Sequence, residues 1–218
     1  GGESFTDEEI VELLLALGTP RKDTKAPARA ALRHFGSLAA VLEAGSIELQ
    51  KIPGIGPTNS FAIHFIHEVA RRYLRKRLTG RHYLTSAAEV AEYLIHSMRD
   101  LEQEVLTAIF LDAGHAIIDS ETVARGTVTA STVYPRELVK RALHHNAAAL
   151  IIAHNHPSGR TSPSEADLQL TGKLHEACSL MHIRLLDHFI VGDDRTPFSF
   201  AENGIMDQVR RRYGGGQP

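Results

Sequence analysis

His154 and His156 stand two apart at the end of a short apolar run, Ala148 to Ala153, and Asp167 follows after one loop. An apolar run of this length, carrying adjacent isoleucines, reads as a buried strand rather than one face of a helix. Side chains alternate faces along an extended segment, so both imidazoles can point the same way, a spacing that suits one metal ion. Pro157 and Ser158-Gly159 then break the strand. Pro163 to Asp167 opens a helix with Ala166, Leu170 and Leu174 on its apolar face, which sets Asp167 in the first turn, facing back toward the loop. Two neutral imidazoles and one carboxylate make three protein ligands, and a catalytic zinc site keeps its fourth position for water. Zinc lowers the pKa of water from about 15.7 to near 7, so hydrolysis is the chemistry this set implies. Each piece also has an ordinary reading. Ser164-x-x-Asp167 is a capping box, and an isolated His-x-His is commonly loop or surface histidine, here in a chain with 13 histidines. The combination is narrower: strand, His-x-His-Pro, a six-residue spacer, then Ser-x-x-Asp opening a helix.

At these residues the chain resembles the JAMM (MPN+) metalloprotease motif, matched without a gap by His154, His156, Pro157, Ser164 and Asp167. The longer runs His-Asn-His-Pro-Ser-Gly and Pro-Ser-x-Ala-Asp, with Leu185 to Gly192 (LLDHFIVG), are similar to the RadC family. The resemblance implies one zinc per chain held by His154, His156 and Asp167. It implies that Ser164 hydrogen-bonds near the reacting carbonyl and that an upstream glutamate acts as general base. Glu104, abutting the strand expected over Val105 to Leu111, is preferred for that role over Glu102; without the resemblance either would be a solvated carboxylate. Asp187 and His188 are candidates to orient a zinc ligand from behind, with an unrelated strand-end hydrogen bond as the alternative. Packing or surface exposure is the expectation for His144, His145, His175 and His182.

The elements that must position these groups alternate after about residue 80. Ser86 with Glu89 suggests a capping box for a helix to Met98. Val105 to Leu111 and His115 to Val123 read as paired strands about the turn Asp112-Ala113-Gly114, and Thr127 to Ser131 as a possible extension of the sheet. Pro135 starts a helix to His145 with Leu138, Val139, Ala142 and Leu143 inward. The metal strand follows, then the Asp167 helix to Cys178 and a strand over Ile183 to Val191. The tail beyond Glu202 is expected to be partly without order.

Before residue 80 everything reads as helix. Thr6 caps a first segment with Asp7, Glu8 and Glu9 in its first turn and Ile10, Leu13, Leu14 and Leu17 as its buried stripe, ended by Gly18. Lys25 to Phe35, Ser37 to Leu42 and Ser46 to Gln50 follow. Ile52-Pro53-Gly54-Ile55-Gly56-Pro57 then leads into a long helix to Leu78. A Gly-x-Gly turn between helices brings backbone amides to a helix N-terminus, a site for phosphate. The stretch resembles a helix-hairpin-helix motif, which implies that Gly54, Ile55 and Gly56 grip a nucleic-acid backbone without reading bases. A packing turn with Ile52 and Ile55 in the core is the alternative. The chain departs from the motif at Thr58-Asn59-Ser60, where a lysine is common, and places Arg71, Arg72, Arg75, Lys76 and Arg77 at the far end of the helix.

The expected architecture is α + α/β: an all-helical helix-hairpin-helix domain over 1–80, then a JAMM-type α/β domain over 81–218 with a central mixed sheet. Gly1-Gly2 reads as an expression remnant, so the natural chain is expected to begin upstream. The single cysteine, Cys178, excludes an internal disulfide and points to a reducing cytoplasm. No apolar run is long enough for a membrane span, and a net charge of −2 argues against a whole-molecule nucleic-acid field. Zinc deaminase chemistry is a poor fit, because its signature is His-x-Glu with a later Pro-Cys-x-x-Cys. The expectation is zinc-dependent hydrolysis of a peptide or isopeptide bond, with DNA a possible partner of the helical part in a repair setting. A metal-dependent nuclease and a non-catalytic DNA-binding scaffold are the alternatives.

Overall fold

The computed structural model describes residues 5–129 and 132–213, with Leu84 through its backbone alone. The chain divides into two compact units, Gly1–Tyr73 and Leu74–Pro218, and the division falls inside a long helix.

The first unit holds α1 (Asp7–Gly18), α2 (Lys25–Phe35), α3 (Leu38–Glu43), α4 (Ser46–Leu49) and most of α5 (Pro57–Leu78). Thr6 and Glu9 close a full capping box on α1, and Gly36 ends α2 in the left-handed conformation. The buried face of α1 is Val11, Leu14 and Leu15; Leu13 and Leu17, expected inside, are 53% and 68% exposed. The run Leu13-Leu14-Leu15-Ala16-Leu17 is apolar on all sides, so periodicity alone does not choose the face. Val11 and Leu15 enclose the core of this unit with Ala28, Val41, Leu49, Ile52, Ile55 and Ile63.

The second unit is built on a five-stranded mixed sheet with β1 (Val105–Leu111), β2 (Ile117–Arg125), β3 (Ala149–Asn155), β4 (Arg184–Val191) and β5 (Phe198–Ser199). Its order is β2-β1-β3-β4-β5, with β3 and β4 parallel and every other pair antiparallel. Strands β1 and β3 are buried along their whole length, as interior strands covered on both faces must be. Alternation sends Leu106, Ala108 and Phe110 to one core, with Leu138, Leu170, Leu174 and Met206. Val105, Ile109 and Leu111 go to the other, with Val90, Leu94 and Met98. These helical residues belong to α6 (Ala87–Met98), α7 (Pro135–His144), α8 (Glu165–Leu180) and α9 (Ile205–Tyr213).

Several expectations are corrected here. Ser86 makes no side-chain cap on α6, because a 3-10 turn over Tyr83–Thr85 runs straight into the helix; Glu89 lies 3.7 Å from Arg81 instead. Strand β2 begins at Ile117, since His115 turns the chain with a positive φ. Thr127 to Thr129 form no strand: Gly126 turns at φ 92° and the Val128 amide is drawn to Glu104; Ala130 and Ser131 lie outside the described residues. Leu143 is half exposed, leaving Leu138 and Ala142 as the buried residues of α7. The tail beyond Glu202 carries α9 as far as Tyr213, anchored by Met206 and Val209, and its glycine-rich end at 214–218, where partial disorder was expected, lies outside the described residues. Tyr213 packs so closely on Gly172 that a side chain there would collide with its ring.

Candidate metal centre

The site sits where parallel β3 and β4 end and α8 begins, the crevice in which open α/β sheets commonly place their chemistry. His154 is the penultimate residue of β3 and only 1% exposed, while His156 lies one residue past the strand. Its amide donates to Val191 O at 2.8 Å, continuing the parallel ladder for one more step. The loop after it folds against Gly192, where a Cβ would overlap the Gly159 carbonyl. Gly159 itself has φ 78°, a conformation glycine adopts without penalty.

Asp167, 3% exposed, is the third residue of α8 and does two things. Its Oδ2 accepts from the Ser164 amide at 2.7 Å and the Ser164 hydroxyl at 2.6 Å, closing the capping box. Its Oδ1 lies 3.1 Å from His154 Nε2, and Oδ2 lies 3.5 Å from His156 Nε2. The three groups thus converge as a set of metal-ligand atoms. Burial works to raise the Asp167 carboxyl pKa, but the bonds from His154, His156 and Ser164 outweigh it and hold the group well below the ordinary carboxylate range.

A buried relay sets the tautomers. The Thr171 hydroxyl donates to Asp167 O at 2.5 Å, so its oxygen is left to accept from His188 Nδ1–H at 2.7 Å. Burial, then the neighbouring His154, keeps His188 neutral, its pKa far below the ordinary imidazole value. Its Nε2 is therefore a lone pair that accepts from His154 Nδ1–H at 2.7 Å. The same logic applies to His156, whose Nδ1 faces Arg160 O at 2.7 Å and must donate to it. In the neutral rings both Nε2 atoms then carry lone pairs, and they face each other at 2.8 Å beside the Asp167 carboxylate. Such an arrangement demands a positive species at its centre, either a proton or a metal ion. The Asp167 bond, against burial, raises the His156 pKa and so favours a proton on that ring. The donor set, its burial and its tautomers fit a zinc ion.

Glu104 stands beside this cluster, just ahead of β1, and its charge also favours protonation of His156. Its Oε2 accepts from Val128 N at 2.6 Å, which leaves Oε1 uncommitted among these bonds. With Glu102, Gln103, Gly126, Thr127, Pro157 and Ser158 it lines a cavity of about 540 Å³. Ser164 is exposed at the mouth of α8, with its hydroxyl proton given to Asp167.

His188 does bond to the candidate ligand His154, whereas Asp187, pointing to the opposite face, takes the strand-end alternative. It accepts from Tyr83 Oη, Ser199 Oγ and the amides of His188 and Ala201, and so fixes the turn after β5. Sequence reasoning missed Thr171, although it lies one helical turn after Asp167, and it missed Asn155, the middle residue of His-Asn-His. A second cluster, Asp119, Glu121 and His145, was also unforeseen. Arg75 holds Asp119 at 2.8 Å and Arg141 holds Glu121 at 2.7 Å, so the cluster is an ion-pair network already supplied with cations. The Cys178 thiol is buried and pushed up to about 12, which removes it as a nucleophile.

In the helical unit the Gly54–Gly56 turn is partly committed inward. Ile55 is buried and its amide donates to Ile52 O at 3.0 Å; the Gly56 amide donates to Asn59 Oδ1 at 3.1 Å. Asn59 in turn donates to Leu15 O and Thr19 Oγ1, tying the turn to the end of α1. That explains the asparagine where the motif commonly carries a lysine nearby.

A mixed sheet with two histidines and an aspartate at the β3–α8 junction defines a metalloprotease-like domain of the JAB class. A family model described as the RadC-like JAB domain matches residues 84–205. The UPF0758 protein of Stenotrophomonas maltophilia is 42% identical over 99% of this chain and 92% of its own length. That of Burkholderia cenocepacia is 44% identical over 94% of this chain and 80% of its own length, and that of Ralstonia pickettii 42% over 94% and 92%. The chain belongs to the RadC family.

Proposed function

We propose that the chain is a zinc-dependent amide hydrolase, of peptidase or isopeptidase type, with His154, His156 and Asp167 holding one zinc and Glu104 moving the proton. The observation that carries this reading is the pair of opposed Nε2 lone pairs, 2.8 Å apart, beside a carboxylate held ionised. Zinc supplies Lewis-acid chemistry, polarising a carbonyl and lowering the pKa of water. The chain supplies the rest. Glu104, held through Oε2 by the Val128 amide, takes a proton on Oε1 and returns it to the departing amine. Ser164, at the helix mouth, offers its hydroxyl to the oxygen of the reacting carbonyl once that hydroxyl leaves Asp167. The His188–Thr171 relay keeps His154 in the ligating tautomer. No helix among the described residues is long and apolar enough to cross a membrane, and the lone buried cysteine suits a reducing cytoplasm.

The test is elemental analysis with a substrate screen. One zinc per chain is expected, lost in His154→Ala and Asp167→Ala and retained in Glu104→Ala, with hydrolysis abolished in all three. Zinc retained in the Asp167 variant overturns the ligand set, and cleavage of DNA but not of peptides or isopeptides in the same screen selects a nuclease.

For the helical unit we propose contact with a DNA backbone at the Gly54–Gly56 turn, involving the first-turn amides of α5, in keeping with a repair role. Gly56→Ala is the clean probe, because a Cβ there meets only Asn59 Oδ1 at 4.0 Å; at Gly54, with φ 92°, it would strike Pro27 Cγ at 2.6 Å. Gly56→Ala should weaken binding to duplex or branched DNA and flatten its salt dependence. Unaltered binding removes the role.

A further inference from the structure

We propose that Asn155, the residue between the two histidines, is a positioning residue that ties the Glu104 segment to the metal-bearing strand. Its consequence for turnover rests on the hydrolase reading above; the clamp itself does not. Alternation along β3 sends the side chain of Asn155 away from the face that His154 and His156 share. It is 1% exposed, and both ends of its amide are used. Oδ1 accepts from Val105 N at 2.8 Å, and Nδ2 donates to Leu101 O and Gln103 O, each at 3.1 Å.

The location explains why a side chain does this work. The β1–β3 ladder pairs Leu106 with His154 and stops there, so Val105, paired with Arg125 on the β2 side, has no β3 residue opposite it. Residues 101–104 are irregular backbone, and the carbonyls of Leu101 and Gln103 take their donor from the Asn155 side chain rather than from a helix or strand ladder. One primary amide answers both needs, accepting at one end and donating twice at the other. Among side chains of this length only asparagine offers that combination. Aspartate cannot donate when ionised, and leucine, similar in shape, can do neither. On the far side, Gly126 N donates to Glu104 O at 2.9 Å and Val128 N to Glu104 Oε2. Glu104 is therefore held between the end of β2 and the metal strand. One tripeptide thus presents two metal ligands on one face and the support for the proton-moving glutamate on the other.

The experiment is hydrogen exchange on the full chain, zinc-free and zinc-loaded, comparing wild type with Asn155→Ala and Asn155→Leu. Exchange at Val105 and through 101–104 should quicken by about tenfold or more in both variants, the effect of losing buried hydrogen bonds. Segments in α8 and β4 should keep their protection, and zinc should remain at one per chain. Leu fills the volume, so wild-type protection in Asn155→Leu would mean that the residue only packs, and would overturn the clamp. Should the variants fail to fold, the wild type decides: its Asn155 Nδ2 protons must exchange slowly in 15N spectra, and rapid exchange refutes the bonds. On whatever amide substrate the screen yields, both variants should lower kcat about tenfold or more with KM within about twofold. Quickened exchange with unchanged kcat refutes the positioning role; lack of turnover even in wild type would count against the hydrolase reading while the exchange data still judge the clamp.

Discussion

Thr171 touches no ligand atom of the candidate site through its own side chain, yet the relay makes zinc affinity depend on it. Thr171→Val keeps the shape of a fully buried residue and deletes the hydroxyl. Two contacts go with it: the 2.5 Å bond to Asp167 O and the 2.7 Å bond from His188 Nδ1. His188, neutral and sealed from solvent, loses its reason to protonate Nδ1. The alternative tautomer points Nε2–H at His154 Nδ1, turns that nitrogen into the acceptor, and places a proton on His154 Nε2, where a metal needs a lone pair. Each buried group left without a partner costs about 1–3 kcal/mol. Disturbing such ligand-orienting bonds lowers metal affinity about 10- to 100-fold, or about 1.4–2.8 kcal/mol. Thr171→Ser keeps the hydroxyl and should stay within about threefold of wild type on that scale. Competitive zinc titration against a chromophoric chelator measures both, with circular dichroism confirming the fold. Equal affinities in the Val and Ser variants would refute the relay argument, whatever their stability.

In the zinc-free protein, Asp167 titrates well below its ordinary value, so its stabilisation is present above about pH 4 and is lost only as pH falls toward the lowered value. His156 is shifted the other way, so its contribution is present below about pH 6.5 and lost as pH rises through the raised value. The zinc-free melting temperature should therefore drop as pH rises above about 6.5, while the increment from added zinc grows, because the ligands must shed protons; a pH-independent increment contradicts this. Gly192→Ala should cost about 2 kcal/mol or more and weaken zinc binding, since its Cβ would force the Gly159 carbonyl and the metal loop outward; thermal melts and zinc titration would show it. Asp187→Ala strips four donors of their acceptor, and should lower stability by about 3 kcal/mol or more in denaturant titration while zinc stoichiometry holds.

The convergence of His154, His156 and Asp167 was legible because the three lie in one short stretch governed by two periodicities, alternation in β3 and the first turn of α8. Elements bounded by strong local signals were legible for a similar reason: Gly36 closing α2, Pro135 opening α7. What could not be read depends on groups distant in the chain. The partnership of His154 with His188 needs the parallel pairing of β3 and β4, and that of Asn155 with Leu101 and Gln103 needs the exact end of the β1–β3 ladder. Leu13 and Leu17 were misassigned because an all-apolar helix segment carries no information about which neighbour it meets. The Ser86 cap failed because a preceding turn, invisible to the four-residue pattern, set the backbone of Ser86 outside the geometry that lets a hydroxyl reach back.

The two readings of Ser164-x-x-Asp167 turn out not to compete. A carboxylate that caps a helix accepts backbone and hydroxyl protons through one oxygen, and here Oδ2 does so for Ser164. The bonds fix the plane of the carboxylate, which carries Oδ1 to within 3.1 Å of His154 Nε2. They also help hold the group ionised in a buried site, where desolvation alone would favour the neutral acid. A carboxylate in the first turn of a helix, placed as a candidate ligand, therefore gains its orientation and part of its charge state from the cap itself. Ser164→Ala tests this directly. It leaves the three ligand residues in place but removes one bond to Oδ2, so zinc affinity should fall even though serine is not a ligand, by about tenfold on the scale of other ligand-orienting bonds. Unchanged affinity would mean that the Ser164 amide alone holds the carboxylate in place.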